Sequence, residues 1–164
     1  MNEALSRKKD EEISDYLLEQ FLNLSRALTG FDRVDLLGTG MAEPYYREIT
    51  RIYKEPVIRL LFEAKAIFEV YGEHHPAFED QIRQRIIEDI EFAQIAKNII
   101  QLWYLGSYTN YNDPAPLIFK AAYIISPEAY QNGLLWPNMG SHPAGAKQPG
   151  FGSWNLEPQT VKQD

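Results

Sequence analysis

Apolar residues recur at helical spacing through the first two thirds of the chain and lose that period afterwards. Ile13, Leu17, Phe21, Leu24 and Leu28 share one face of a 3.6-residue repeat, and Thr29-Gly30 supplies its stop. Gly38-Thr39-Gly40 reads as a loop. A second helix then runs from Met41 to about Tyr53, with Pro44 tolerated in its first turn. The third is the clearest: Pro56 opens it, Val57, Leu60, Leu61, Ala64, Ile67, Phe68 and Tyr71 form its stripe, and Gly72 ends it. After the Glu73-His74-His75-Pro76 turn, a helical pattern extends from Ala77 to Tyr104. That is long for a globular helix, so a break is expected near Asp89. The Asp89 carboxylate can cap a last helix carrying Phe92, Ile95, Ala96, Ile99, Ile100 and Trp103.

Beyond Gly106 the period disappears. Pro114, Pro116, Pro127, Pro137, Pro143, Pro149 and Pro158 are spaced too closely for long helices. Ser126-Pro127-Glu128, a cap followed by proline at the first helical position, predicts one short helix that Gly133 terminates. The sequence therefore predicts an all-α fold within one domain. A disordered N-terminus, 1–10, precedes a bundle of about five helices, 11–106. A mostly irregular segment, 107–164, follows with at most one short helix.

Composition sharpens the division. Only seven of the 39 charged residues fall after residue 104, against seven of the ten prolines, six of the ten glycines and eight aromatics. Disordered tails are polar and aromatic-poor, so this composition predicts a segment that needs a surface to cover. Trp136 and Trp154 sit in it with no helical stripe to explain them, and read as interface anchors. Trp103, Tyr104 and Gly106 end the last helix and read as structural.

Several chemistries lack their residues. The chain has no cysteine, which excludes disulfides, thiolate catalysis and Cys-ligated zinc. A net charge of −7, with Arg7-Lys8-Lys9 answered by Asp10-Glu11-Glu12, argues against nucleic acid. No apolar run approaches the roughly 18 residues that span a bilayer. No glutamate is followed by a histidine three residues later, as a di-iron bundle would use. His74 and His75 are adjacent in a turn and read as exposed loop histidines. Gly38-Thr39-Gly40 begins like a dinucleotide fingerprint but has Glu43 where the third glycine belongs. As a catalytic base, His142 would need an orienting acid, and the segment offers Asp113, Glu128, Glu157 and Asp164. Packing or hydrogen bonding is the simpler role for it. No catalytic, cofactor-binding or metal-ligating residue is therefore expected.

Several short motifs, taken in order, carry a resemblance. They are Phe21-x-x-Leu24-Ser25-x-x-Leu28-Thr29-Gly30, Leu102-Trp103-Tyr104-Leu105-Gly106, Tyr130-x-x-Gly133-Leu134-x-Trp136, His142-Pro143 and Pro149-Gly150-Phe151-Gly152-Ser153-Trp154. From about Leu17 to Pro158 the chain resembles the small subunit of bacterial membrane-bound FAD-dependent sugar and polyol dehydrogenases, the sorbitol, fructose and glucose dehydrogenase type. The resemblance implies a subunit without cofactor or catalytic residues. A large flavoprotein subunit holds FAD and oxidises the sugar, and a cytochrome c subunit passes the electrons on. The small subunit would escort the flavoprotein, aid its maturation and stay bound, gripping it through Trp136, His142, Pro143, Phe151, Gly152 and Trp154. A periplasmic address is implied. Ser6-Arg7-Lys8-Lys9, however, lacks the paired arginines and apolar stretch of a twin-arginine signal, which leaves the cytoplasm as the alternative. Without its partner, a homodimer that covers the segment with a second copy is the competing arrangement.

Overall fold

The computed structural model describes residues 2–111 and 122–144, with side chains from Glu12 onward, and over these residues the protein is mostly helical. Helix α1 spans Asn2–Thr29. It takes in residues 2–10, where a disordered N-terminus was expected. Sequence explains the extension: neither glycine nor proline occurs before Gly30, and good helix formers fill the stretch. The stop at Thr29-Gly30 stands as read, with Gly30 at φ +77° and its N–H bonded to Arg26 O at 2.9 Å.

Helix α2, Arg33–Gly38, fills part of what reads as loop. Six residues with only Leu36 buried carry no periodic signal, and Val34 is 76% exposed. Asp32 starts the helix, its carboxylate accepting from Asp35 N at 2.9 Å. Helix α3 (Ala42–Tyr53) and helix α4 (Glu55–Tyr71) follow the sequence reading closely. Lys54 alone joins them, at a positive φ of 53°.

The expected break in the fourth pattern is present. Helix α5, Phe78–Ile82, runs into a π turn at Arg83–Ile87, which Glu88 N closes onto Arg83 O at 2.8 Å. The wider turn keeps both Ile82 and Ile86 buried. Asp89 then accepts from Glu91 N and Phe92 N at 2.8 and 3.0 Å, capping a turn that feeds helix α6, Ala93–Leu105.

The core lies where α1, α3, α4 and α6 meet. Its centre is Trp103, fully buried, edge-on to Tyr45 at 5.0 Å and stacked against Phe21 at 6.3 Å. Leu24, Ile49, Leu60, Ile67, Ile95 and Ile99 close around them. Burial pushes the Tyr45 hydroxyl well above its ordinary pKa, so it stays neutral.

After α6 the chain departs from the expected irregular segment. Strand β1, Ser107–Thr109, pairs antiparallel with strand β2, Ala122–Ile124, in the register Ser107 to Ile124 and Thr109 to Ala122. Helix α7, Pro127–Gln131, is the short helix read from Ser126-Pro127-Glu128, and Ser126 Oγ accepts from Ala129 N at 3.1 Å as its cap. Helix α8, Leu135–Asn138, is a second one, beyond the single short helix expected. Pro137 does not prevent this turn, because a first-turn residue needs no intrahelical N–H bond.

Candidate partner-binding surface

The surface begins where α6 ends. Gly106 takes the left-handed conformation, φ +65°, and sends the chain back along the helix end. A Cβ there would lie 2.3 Å from the carbonyl oxygen of Ala129, so α7 packs directly on this backbone. Gly133 makes the second close approach: its Cβ position would be 2.7 Å from Tyr104 O. Main-chain bonds fasten the returning arm at both points, Ile125 N to Gly106 O and Leu134 N to Trp103 O, each 2.9 Å.

A polar relay fixes β1 to the bundle. Asn98 is fully buried on α6; its amide donates to Tyr53 Oη at 2.8 Å, and its oxygen accepts from Thr109 N at 3.1 Å. One turn along, Gln101 donates to Ser107 Oγ and Thr109 Oγ1 at 2.9 and 2.8 Å and accepts from Tyr111 Oη at 2.8 Å. Every buried polar group in the relay gains a partner, as a low-dielectric site requires. Sequence reading passed over both residues. The available signal was Asn98 standing within the apolar stripe of Ile95, Ile99 and Leu102.

Strand β2 is exposed along its length, and besides its pairing with β1 its Tyr123 side chain ties it to α3. The Tyr123 hydroxyl donates to Glu48 on α3 and accepts from Arg51 at 3.3 Å, while Arg51 pairs with Glu48 at 2.7 Å. The Arg51 hydrogen bond, aided by that of Tyr123, holds the Glu48 carboxyl below its ordinary range; desolvation opposes it. Partial burial and the hydrogen bond to the Glu48 carboxylate push the Tyr123 phenol up to about 12.

The sequence-predicted partner residues divide as follows. Trp136 lies on α8, half-buried, donating its indole N–H to Tyr130 O at 2.8 Å with its ring edge-on to Tyr130 at 5.4 Å. His142 is half-buried, with Nδ1 3.4 Å from Pro143 O, and Pro143 is buried. Phe151, Gly152 and Trp154 lie outside the described residues. Trp136 and His142 come together on one open cleft of about 490 Å³. Its opposite wall is Phe31, Asp35, Gly38 and Thr39, at the α1–α2–α3 corner. Phe31 and Asp35 were not singled out for a site, and Gly38 and Thr39 were weighed only as the start of an incomplete dinucleotide fingerprint.

The residues expected to be structural sit in the bundle. Trp103 is the core centre, Tyr104 donates to Thr29 O at 3.0 Å and meets Phe31 edge-on at 5.8 Å, and Gly106 makes the sharp exit described above. Of the carboxylates considered for His142, Glu128 lies on α7, and Asp113, Glu157 and Asp164 are outside the described residues. His74 and His75 are exposed. Among the described residues, no helix is long and apolar enough to cross a membrane, and no group of three His, Cys, Asp or Glu residues converges as metal ligands would.

Comparison with known proteins gives no match, whether to a family model, to a curated protein or to a solved structure.

Proposed function

We propose that this chain is a non-catalytic accessory subunit that binds and escorts a larger FAD-containing sugar or polyol dehydrogenase. The observation that carries the reading is a low-charge arm fastened across one end of a helical bundle, with Trp136 and His142 on an open cleft rather than in the core. Exposed apolar side chains on the same arm, Ile124 and Met139, add surface that association would cover. The motif resemblance supplies the partner's class. In this reading FAD and the oxidation chemistry belong to the flavoprotein, a cytochrome c subunit is met only through it, and this chain holds no cofactor. The arm and the bundle act as one binding module of a single domain, 11–106 with 107–164. In this reading the complex is periplasmic, with the cytoplasm as the alternative.

Coexpression tests the proposal. With a flavoprotein of this type encoded beside it, the chain should purify as a stoichiometric complex, and the flavoprotein made alone should be poorly soluble or lack FAD. A fully active, FAD-loaded flavoprotein recovered without this chain would end the proposal. A homodimer seen by sedimentation that persists when the flavoprotein is present would favour self-association instead.

A further inference from the structure

The cleft beside Trp136 is half of a longer feature. A second hollow, also about 490 Å³, lies between the start of α3 and the beginning of α7, lined by Met41, Pro44, Ile125 and Glu128. Thr39 and Asn132 border both hollows, so the two adjoin along the seam where the arm crosses the bundle. Each hollow has room for more than one side chain, so the adjoining pair suits several residues of an extended polypeptide. A strand places alternate side chains about 6.5 Å apart on the same side, so more than one of them can face such a seam.

The charge of the seam is one-sided. Asp35 lines the first hollow and Glu128 the second, and no lysine or arginine is among the described residues lining either. Hydrogen bonds from its own backbone N–H and from Ser126 hold Glu128 below the ordinary carboxylate range, so it is charged at neutral pH. The whole chain carries −7. A second copy of the chain would bring like charge to this seam. Across the same cleft from Asp35 stands the indole of Trp136, a face on which a guanidinium can stack. Beside Glu128 the walls are apolar.

We infer that the seam is the docking groove for an extended segment of a partner chain carrying basic residues, with an arginine seated at Trp136 and Asp35 and a second basic residue beside Glu128. The inference rests on the accessory-subunit reading and names the chemistry of what that surface grips. The arginine stem covers the Phe31–Trp136 cleft while its head meets Asp35. An apolar residue of the same segment enters against Met41, Pro44 and Ile125.

The test uses the full chain, labelled with ¹⁵N, and a synthetic extended peptide with arginine and leucine alternating. Amide signals of Gly38, Gly40 and Gly133, on the two walls, should shift with saturation in the micromolar to millimolar range. The same peptide with glutamate for arginine should leave them in place. Asp35→Asn and Glu128→Gln, both exposed and away from the core, should each weaken binding about two- to fivefold and flatten its salt dependence. Equal binding of the acidic peptide, no shift at all, or shifts confined to other faces would overturn the groove. So would sedimentation showing a dimer that Asp35→Asn and Glu128→Gln leave intact and the peptide cannot dissociate. The flavoprotein coexpression is read separately. A stable complex indifferent to both substitutions removes the groove and leaves the accessory-subunit reading standing, whereas no complex removes that reading itself.

Discussion

Gly106 shows how one residue type decides the geometry of the arm. Two effects coincide there: the left-handed backbone, which disfavours any Cβ, and a carbonyl 2.3 Å from where that Cβ would stand. Gly40 has the same backbone sign, φ +70°, but nothing within 4 Å of its Cβ position. The pair separates strain from collision. Gly40→Ala should cost about 1 kcal/mol, whereas Gly106→Ala should cost about 3 kcal/mol or displace α7. Urea denaturation of both variants checks the difference. Equal losses would mean that α7 does not lie on that backbone in solution.

Among the elements, what the sequence disclosed follows the strength of its periodic signal. The α4 stripe from Val57 to Tyr71 and the α6 stripe from Ile95 to Trp103 were legible because each buries several residues of one face. Helix α2 was not, since Leu36 alone is buried and Val34 and Leu37 point outward. Asp32 with Asp35 three residues later was the one local clue. The β1–β2 ribbon was hidden for a different reason: its strands are three residues long, and their pairing is fixed by Asn98 and Gln101 on a neighbouring helix. Of the candidate surface, Trp136 could be picked out by composition and His142 by the motif resemblance. The opposite wall at Phe31 and Thr39 could not, because only the folded arm brings it within reach.

The ribbon's outer strand depends on a titratable contact. Glu48 has its carboxyl held below the ordinary 4.5 by Arg51 and Tyr123. A lowered folded pKa stabilises the fold above the unfolded value, and that contribution disappears as pH falls through the folded pKa. Glu48→Gln should therefore be destabilising near pH 6 and less so at an acid pH below the ordinary carboxylate range. Urea midpoints of the two proteins at the two pH values measure this. A gap that is the same at both would assign the effect to packing rather than charge.

At the scale of the molecule, bundle and arm should respond differently to loss of an indole. Trp103 is fully buried among α1, α3 and α6, and Trp103→Ala should cost about 3–5 kcal/mol. Trp136 packs on Tyr130 within the arm and is not part of the buried core cluster. Trp136→Ala should keep the far-ultraviolet helical signal and most of the thermal stability, yet weaken partner capture by more than tenfold, as an anchor residue would. Circular dichroism and a binding titration on the same preparation decide it. Collapse of the helices in Trp136→Ala would move that residue into the core.

The arm is fastened to the bundle by main-chain atoms, Ile125 N to Gly106 O and Leu134 N to Trp103 O, with glycine at both close approaches. Peptide groups are the same whatever side chains they carry. If the arm grips a partner as proposed, substitutions elsewhere in it can thus change what it grips without changing where it sits. Over evolutionary time such a design lets the arm's exposed side chains drift quickly on a fixed frame. Distant relatives of this chain should then be recognisable less by shared residues than by two glycines, one at the exit of a long helix and one after a short capped turn.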